Sequence, residues 1–559
     1  MKKAIITGSF TVSLFALPLV NAAQYTVVEL PVAELGNSTF PVAINNVGET
    51  VVNMELQYSP PIDTTLINFE SAVVIAGLDN LDGVRGGDLS DLDYSWLYSY
   101  VTAYSEDQQF QQIASLNSYI ATETYTDLMH GFDTLDPNTD DYRNSATTQV
   151  RSINDFGYAV GKSQDGFYTM SYLSEDFYEL TYVLNDFYAR GFAQVDGDIT
   201  ELPPPDITAG GISDAYDINS SNQVVGYGTT EFVSDTYTVG VEDCSDPTAR
   251  GDVPEESCLR SLSISLANNV SSVAQQRGLI WQLDERGDLI DTYALGMLIE
   301  LDATSSTTYK STAVAINDYG IAVGESPDYY LETDSLTTVA AIYIGDQVTT
   351  INQDDEVYTS TAYDINNDNI VVGHVTKSIN GTTRTKFFIH DIEADLTLYP
   401  DDFFTGSSSV ANSINNENFV VGYGESEATL TDRRTEGFIY DYKNDIFQGL
   451  NSLIECNSEY DIVQANGIND SNEIVATALI SKPQKNIRGE IILDELGGQT
   501  LVDTVVAVKL LPISGGSIDN CDVYEEELVR QGASMPVAIN VGLFLLCLVR
   551  LRRQACQGN

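Results

Sequence analysis

Apolar and polar positions alternate along this chain in one short pattern that recurs seven times. An Ile is followed by Asn, two variable residues, Gly or Asn, another variable residue and a small apolar pair. The copies start at Ile44, Ile153, Ile218, Ile316, Ile365, Ile414 and Ile468. The fifth position is Gly48, Gly157, Asn222, Gly320, Asn369, Asn418 and Asn472. Gly and Asn are the residues that most readily take a left-handed backbone. The second position is always Asn: Asn45, Asn154, Asn219, Asn317, Asn366, Asn415 and Asn469. Its side-chain oxygen can fold onto a backbone N–H two residues on. The pattern therefore predicts a tight reversal. The Ile ends one strand and the Val-rich run begins the next, as in a β-hairpin.

Two small residues frame each reversal. Ala precedes the Ile by three in five copies (Ala215, Ala313, Ala362, Ala411 and Ala465), which predicts close approach of neighbouring backbones. Gly closes the pattern in five (Gly161, Gly226, Gly324, Gly373 and Gly422), marking a bulge or a crowded contact. Between the hairpins lie further strand candidates: HGFDTL from His130, RGFAQV from Arg190, RGLIWQL from Arg277, AAIYIG from Ala340, KFFIHD from Lys386 and EGFIYDY from Glu436. One unit then reads as a four-stranded antiparallel blade. Ile316, Ile365 and Ile414 are spaced by 49 residues, and Ile468 follows by 54, the length of a propeller blade. The predicted fold is an all-β propeller of about seven such blades, with six or eight left open. Tyr25–Leu30 and Thr504–Leu510 are placed to close the ring inside one blade.

The wider gaps hold insertions. From Leu89 to Met129, Leu92, Trp96, Tyr100, Val101 and Tyr104, then Phe110, Ile113, Leu116 and Ile120, recur at helical spacing. Ser105–Gln108 reads as a capping box. The expectation is a helical hairpin over 89–129, acting as a lid on the propeller or as a partner-binding element. The domain reading is a propeller start over 23–88, this insertion, blades over 130–511 and a linker over 512–531.

The INxxGxVVG strings resemble the HAF family of bacterial extracellular repeats, whose His-Ala-Phe triplet appears here in altered form as His130-Gly131-Phe132 and Arg190-Gly191-Phe192. The layout is also similar to gammaproteobacterial surface proteins that carry this repeat and a C-terminal sorting tail. That resemblance implies export and a cell-surface or extracellular location, but no catalytic residues.

The ends agree with it. Lys2, Lys3, the apolar stretch to Val20 and Val20-Asn21-Ala22 form a signal peptide over 1–22. Met535–Val549 is apolar and is followed by Arg550, Arg552 and Arg553. This tail, 532–559, resembles Gly-Gly sorting signals cut by the rhomboid-type protease rhombosortase. Here Ala533 stands where the second Gly belongs. The expected partners are that processing protease, the membrane transiently through the tail, and an extracellular protein or polysaccharide. A permanent C-terminal anchor is the alternative.

Charge excludes one class of partner. The chain carries 82 acidic and 26 basic residues, a net charge of −56. Nucleic-acid binding needs concentrated Lys and Arg. Cysteines fit an oxidising compartment. Proximity pairs Cys244 with Cys258, and exhaustion pairs Cys456 with Cys521, although four cysteines allow three connectivities.

Chemistry is sparse. The three histidines, His130, His374 and His390, have no metal spacing, and no hydrolase, P-loop or dinucleotide motif is present. Calcium is the one cofactor on offer, with Asp79, Asp82, Asp196 and Asp198 as candidate ligands. Neither segment matches an EF-hand loop, and solvated turns are the favoured reading of both, with calcium loops the alternative. The 32 tyrosines, including Tyr168, Tyr172, Tyr178 and Tyr182, suit either strand packing or recognition. The leading expectation is a non-enzymatic surface propeller that binds a protein or polysaccharide. The alternatives are a propeller hydrolase or lyase with its acids in the central channel, and a structural surface-layer or biofilm component.

Overall fold

Seven four-stranded antiparallel sheets succeed one another around a ring. The computed structural model describes residues 23–518 apart from 34–35, 56–57, 137–139, 301–305, 331–332, 334, 352–355 and 429–432. The expected signal peptide (1–22), the expected sorting tail (532–559) and Cys521 lie outside the described residues. In each blade the Ile of the repeat ends the innermost strand. These strands are Ser38–Ile44, Thr148–Ile153, Ser213–Ile218, Thr312–Ile316, Val357–Ile365, Ser409–Ile414 and Asp461–Ile468, in blades 1 to 7. The count of seven and the blade architecture match the sequence reading. So does the closure: Tyr25–Glu29 pairs antiparallel with Leu501–Pro512 as the outer strand of blade 7.

Blade-to-blade packing explains the small residues. A Cβ added to Gly191 would come within 3.3 Å of the Ala215 nitrogen in the next blade, and one on Gly278 within 3.2 Å of Ala313. Bulkier residues would push neighbouring blades apart. Large side chains fill the wedge further out, with Phe192, Trp281, Tyr343, Phe387, Phe388 and Phe438 all fully buried.

The connections after the second strands all leave from the end of the ring opposite the repeat turns. In blades 1, 2, 3 and 7 they are long and join into one wall. Blade 1 carries α1 (Ala72–Gly77), α2 (Leu81–Arg85) and α3 (Asp91–Ala103). Blade 3 carries α4 (Thr236–Ser245), α5 (Pro247–Arg250) and α6 (Glu255–Val273). Gln108 donates to the Ser257 carbonyl at 3.0 Å, tying these two insertions together. The Val183 N–H of the blade 2 hairpin reaches the Gln108 carbonyl at 2.7 Å. From blade 7, Arg488 sits 4.0 Å over the Tyr94 ring and donates to the Leu89 carbonyl.

Three expectations need correction. The helical insertion is not 89–129: its helices occupy 72–103 and so begin inside the expected propeller start. Leu116–Ala121 and Thr126–Met129 are instead the third and fourth strands of blade 1. Leu116 and Ile120 fall at helical spacing, but Leu116–Ala121 is the pairing partner of Thr50–Glu55, which would otherwise be a bare edge. Ser105–Gln108 opens no second helix: the next element after α3 is the strand Leu116–Ala121. The N-cap of α3 itself is Ser90, which accepts from the Asp93 N–H. HGFDTL is no strand either: it forms only two isolated bridges, Phe132 to Asp165 and Leu135 to Tyr142.

The Cys244–Cys258 disulfide is present, with Cα atoms 5.5 Å apart. It joins α4 to α6 rather than stapling a loop. Leu262, Leu266 and Val270 at helical spacing supply the apolar face that folds this excursion. Cys456 is also disulfide-bonded.

Candidate functional site

Every innermost strand is bulged at one shared place, and those of blades 5 and 7 carry a second bulge nearer their start. The shared register shifts fall between Pro41 and Ala43, Val150 and Ser152, Ala215 and Asp217, Ala313 and Ala315, Ala362 and Asp364, Ala411 and Ser413, and Ala465 and Gly467. A bulge re-aims the extra side chain. The seven extra residues are Val42, Arg151, Tyr216, Val314, Tyr363, Asn412 and Asn466, and all seven line one central channel of about 710 Å³. The closing residue lies across each bulge, and it is Gly in blades 2 to 6. A Cβ on Gly324 would sit 2.0 Å from the Thr312 carbonyl oxygen, and one on Gly161 would sit 2.2 Å from that of Gln149.

The repeat turns close one end of the channel. All seven fifth positions are left-handed, with φ from 57° at Asn222 to 93° at Gly48. Each second-position Asn accepts at Oδ1 from the N–H four residues on. Its Nδ2 donates to the backbone carbonyl of the same Asn in the next blade, at 2.9–3.2 Å. The last of these, Asn469 to Asn45, completes a circle of seven amides. A second circle runs through the third positions, where Asn46, Ser220, Asp318, Asn367, Asn416 and Asp470 each donate a backbone N–H to the next blade's side chain. It breaks between Asp155 and Ser220, whose hydroxyl is a shorter acceptor than the Asn or Asp found elsewhere.

Charged and aromatic groups gather toward the other end, on blades 2 to 5. Asp214 is 1% exposed and faces Arg151 and Lys162, each at 3.2 Å. Arg151 lies 4.7 Å over the Tyr216 ring, and the Lys310 ammonium 3.8 Å over the Tyr227 ring. Burial, with Asp214 adding, pushes the Tyr216 hydroxyl up to about 12. Glu325 accepts from Thr361 at 3.1 Å, and Tyr363 stacks on His374. Burial holds the His374 imidazole below its usual range. Arg151 Nε, Asp214 Oδ1, Thr312 Oγ1 and His374 Nδ1 are buried without hydrogen-bond partners.

Two further carboxyls line the wall one residue before the repeat Ile. Asp217 accepts from Ser152 Oγ at 2.6 Å and from the Ile316 N–H at 2.9 Å. Asp364 accepts from the N–H groups of Ile365 and Ile414, both at 2.8 Å. Burial, then the charge of Asp217, raises Asp364 to about 7; burial raises Asp217 as well.

The residues singled out in the sequence divide cleanly. Of the fourteen turn positions, the seven second-position Asn form the amide circle and the seven fifth positions supply the left-handed corners. The calcium candidates do not converge: Asp196 is a left-handed turn residue (φ 52°) beside Asp198, while Asp79 and Asp82 flank the start of α2. Among the described residues no group of three or more His, Cys, Asp or Glu side chains is placed to hold a metal ion. Tyr172 and Tyr182 belong to the blade 2 hairpin, away from the channel. Arg151, Asp214, Tyr216, Lys310 and Tyr363 were not picked out. For Arg151, Tyr216 and Tyr363 the signal was the variable residue two before the Ile, where the repeat stops constraining side-chain type; Asp214 and Lys310, four and six before theirs, carried none.

The fold and channel define a seven-bladed β-propeller with a chemically uneven channel wall. The chain belongs to the family described as "Protein of unknown function (DUF3466)", whose model matches residues 5–554. No curated protein matches it. Among solved structures it is similar to a puromycin hydrolase at 10% identity and a TM-score of 0.33, over 84% of this chain and 53% of that one. A phage phi92 endosialidase gives 6% and 0.34, over 88% and 70%. The Dos1 propeller gives 11% and 0.30, over 87% and 95%. The chain thus spans about half the length of the puromycin hydrolase, and likeness at this level carries nothing about activity.

Proposed function

We propose that this is an exported, non-enzymatic propeller that binds a saccharide in its central channel, as part of an extracellular polysaccharide. The supporting observation is the set of bulge residues. Tyr216 and Tyr363 offer flat rings, Asn412 and Asn466 offer paired amide donors and acceptors, and Arg151 offers a planar fork. Sugars need this combination of stacking faces and directional polar groups. The channel volume falls within the range of small-molecule sites.

A hydrolase or lyase would need free carboxyls. Asp217 and Asp364 are the acids most suited by position, but all four of their oxygens already accept hydrogen bonds: both of Asp217's and one of Asp364's tie their blade to a neighbour, and the other Asp364 oxygen caps the adjacent Ile365 N–H. This favours a structural role for the pair. Export rests on the sequence, through the 1–22 signal and the 532–559 sorting tail.

A glycan array followed by calorimetry tests the reading. A saccharide ligand should bind the wild type, and Tyr363→Ala should weaken it by at least about tenfold, since one stacking face and its buried area are lost. Turnover of a bound polymer, or no glycan binding by folded protein, would refute it.

A further inference from the structure

Lys310 is the cation that the channel leaves unmatched. In a chain with 82 acidic residues against 26 basic ones, a lysine without a counter-ion is unexpected. Arg151 and Lys162 share Asp214. Among the described residues, no carboxylate lies within ion-pair distance of the Lys310 ammonium. Its position is set instead by the Tyr227 ring, which holds the charge electrostatically without neutralising it. Lys310 lines the channel with Arg151, Thr312 and Glu325. Thr312 Oγ1 and Arg151 Nε on the same wall are buried and unpartnered. The Glu325 carboxylate is engaged by Thr361. Three cations therefore face two carboxylates, leaving a local positive excess inside a strongly negative molecule.

We infer that Lys310, with Arg151 and Thr312 beside it, forms a subsite for the carboxylate of an acidic sugar, so that the channel takes a uronate-containing saccharide. The inference rests on the saccharide reading above. A carboxylate would give the ammonium a charge-assisted partner and would use donors that are otherwise unsatisfied. Glu325, which pairs with Thr312 across the blade 4 strands, borders the subsite as an acceptor for ring hydroxyls and discourages a second negative charge. Burial already lowers the Lys310 pKa, while Glu325 and Asp214 pull it back up; a bound carboxylate would raise it further.

The test uses the full chain and a panel of oligogalacturonate, oligoglucuronate and oligomannuronate, each as free acid and as methyl ester, together with neutral glycans. Esterification removes the charge and keeps the ring. Calorimetry should show at least one acid bound ten or more times more tightly than its ester. Lys310→Met should abolish that preference, and Lys310→Arg should keep it. Circular dichroism and melting temperature confirm that both variants fold. Equal binding of acid and ester, a preference that survives in Lys310→Met, or binding of neutral glycans alone overturns the carboxylate subsite while the saccharide reading stands. Binding of nothing on the panel overturns both.

Discussion

Gly320 and Gly324 stand four residues apart and are glycine for different reasons. Gly320 has φ 78°, and a Cβ there would meet only the movable end of the Gln223 side chain, at 3.3 Å, so its constraint is backbone handedness. Gly324 has an ordinary backbone, but a carbonyl stands where its Cβ would be. Gly320→Ala should cost about 1–2 kcal/mol. Gly324→Ala should cost more, about 3 kcal/mol, because a backbone oxygen cannot swing away. Urea unfolding of both variants measures this order, and the reverse order would contradict the bulge assignment. Asn317 carries two duties, as acceptor within its turn and donor to the next blade. Asn317→Asp keeps the first and turns the second into repulsion against the Asn366 carbonyl, a loss of about 1–3 kcal/mol. Part of that loss should return below about pH 4, where the new acid is neutral. The turn half of this chemistry was readable in the sequence, since Asn and Gly announce their own backbone geometry. The donor half was not, because it joins residues 49 to 109 positions apart, or 424 across the closure.

At the level of strands and helices, Asp364 links the innermost strands of blades 5 and 6. Its pKa rises from 3.8 unfolded to about 7 folded. The folded state therefore holds a proton that the unfolded chain has released. The stabilising contribution is complete below about pH 4 and is lost as pH rises to about 7. Asp364→Asn removes this dependence, so the wild-type urea midpoint should fall between pH 4 and 7 relative to the variant, and the gap should then stay constant. An identical pH profile in the two proteins would contradict it. The disulfide acts on a smaller unit. Reduction should expose amides in α4 and α6 to hydrogen exchange while the blade 3 strands stay protected. A 14-residue crosslink is worth about 3 kcal/mol in the entropy model, enough to matter for a pair of helices standing on a sheet. Helices were the hardest elements to place from sequence. Short amphipathic runs such as Leu116–Ala121 satisfy both periodicities, and a partner strand decides between them.

The whole molecule must hold a ring closed against a net charge of −56. Self-repulsion of this size weakens as salt shortens the screening length from about 30 Å at 0.01 M to about 3 Å at 1 M. The melting temperature should rise across that range with sodium chloride. A flat response would mean that the charge is already balanced by local pairs. The seven-fold plan was visible in the chain because each blade repeats its own instructions. The channel's character was not, because it is written at the one position where the blades disagree, and on neighbouring positions that only the ring brings together.

The closure of blade 7 has one more consequence. Tyr25–Glu29 and Leu501–Pro512 lie side by side, and the Ile513 N–H reaches the Gln24 carbonyl at 2.8 Å. The two ends of the described chain are thus almost joined already. A permutant of residues 23–518 that splices them through a short linker and opens at 399–408, between blades 5 and 6, would keep the whole circle of inter-blade amides while giving translation a new starting point. If it melts as one cooperative unit with the same channel ligand, then no blade is privileged, and the order in which the ribosome delivers them is a matter of history rather than of mechanics.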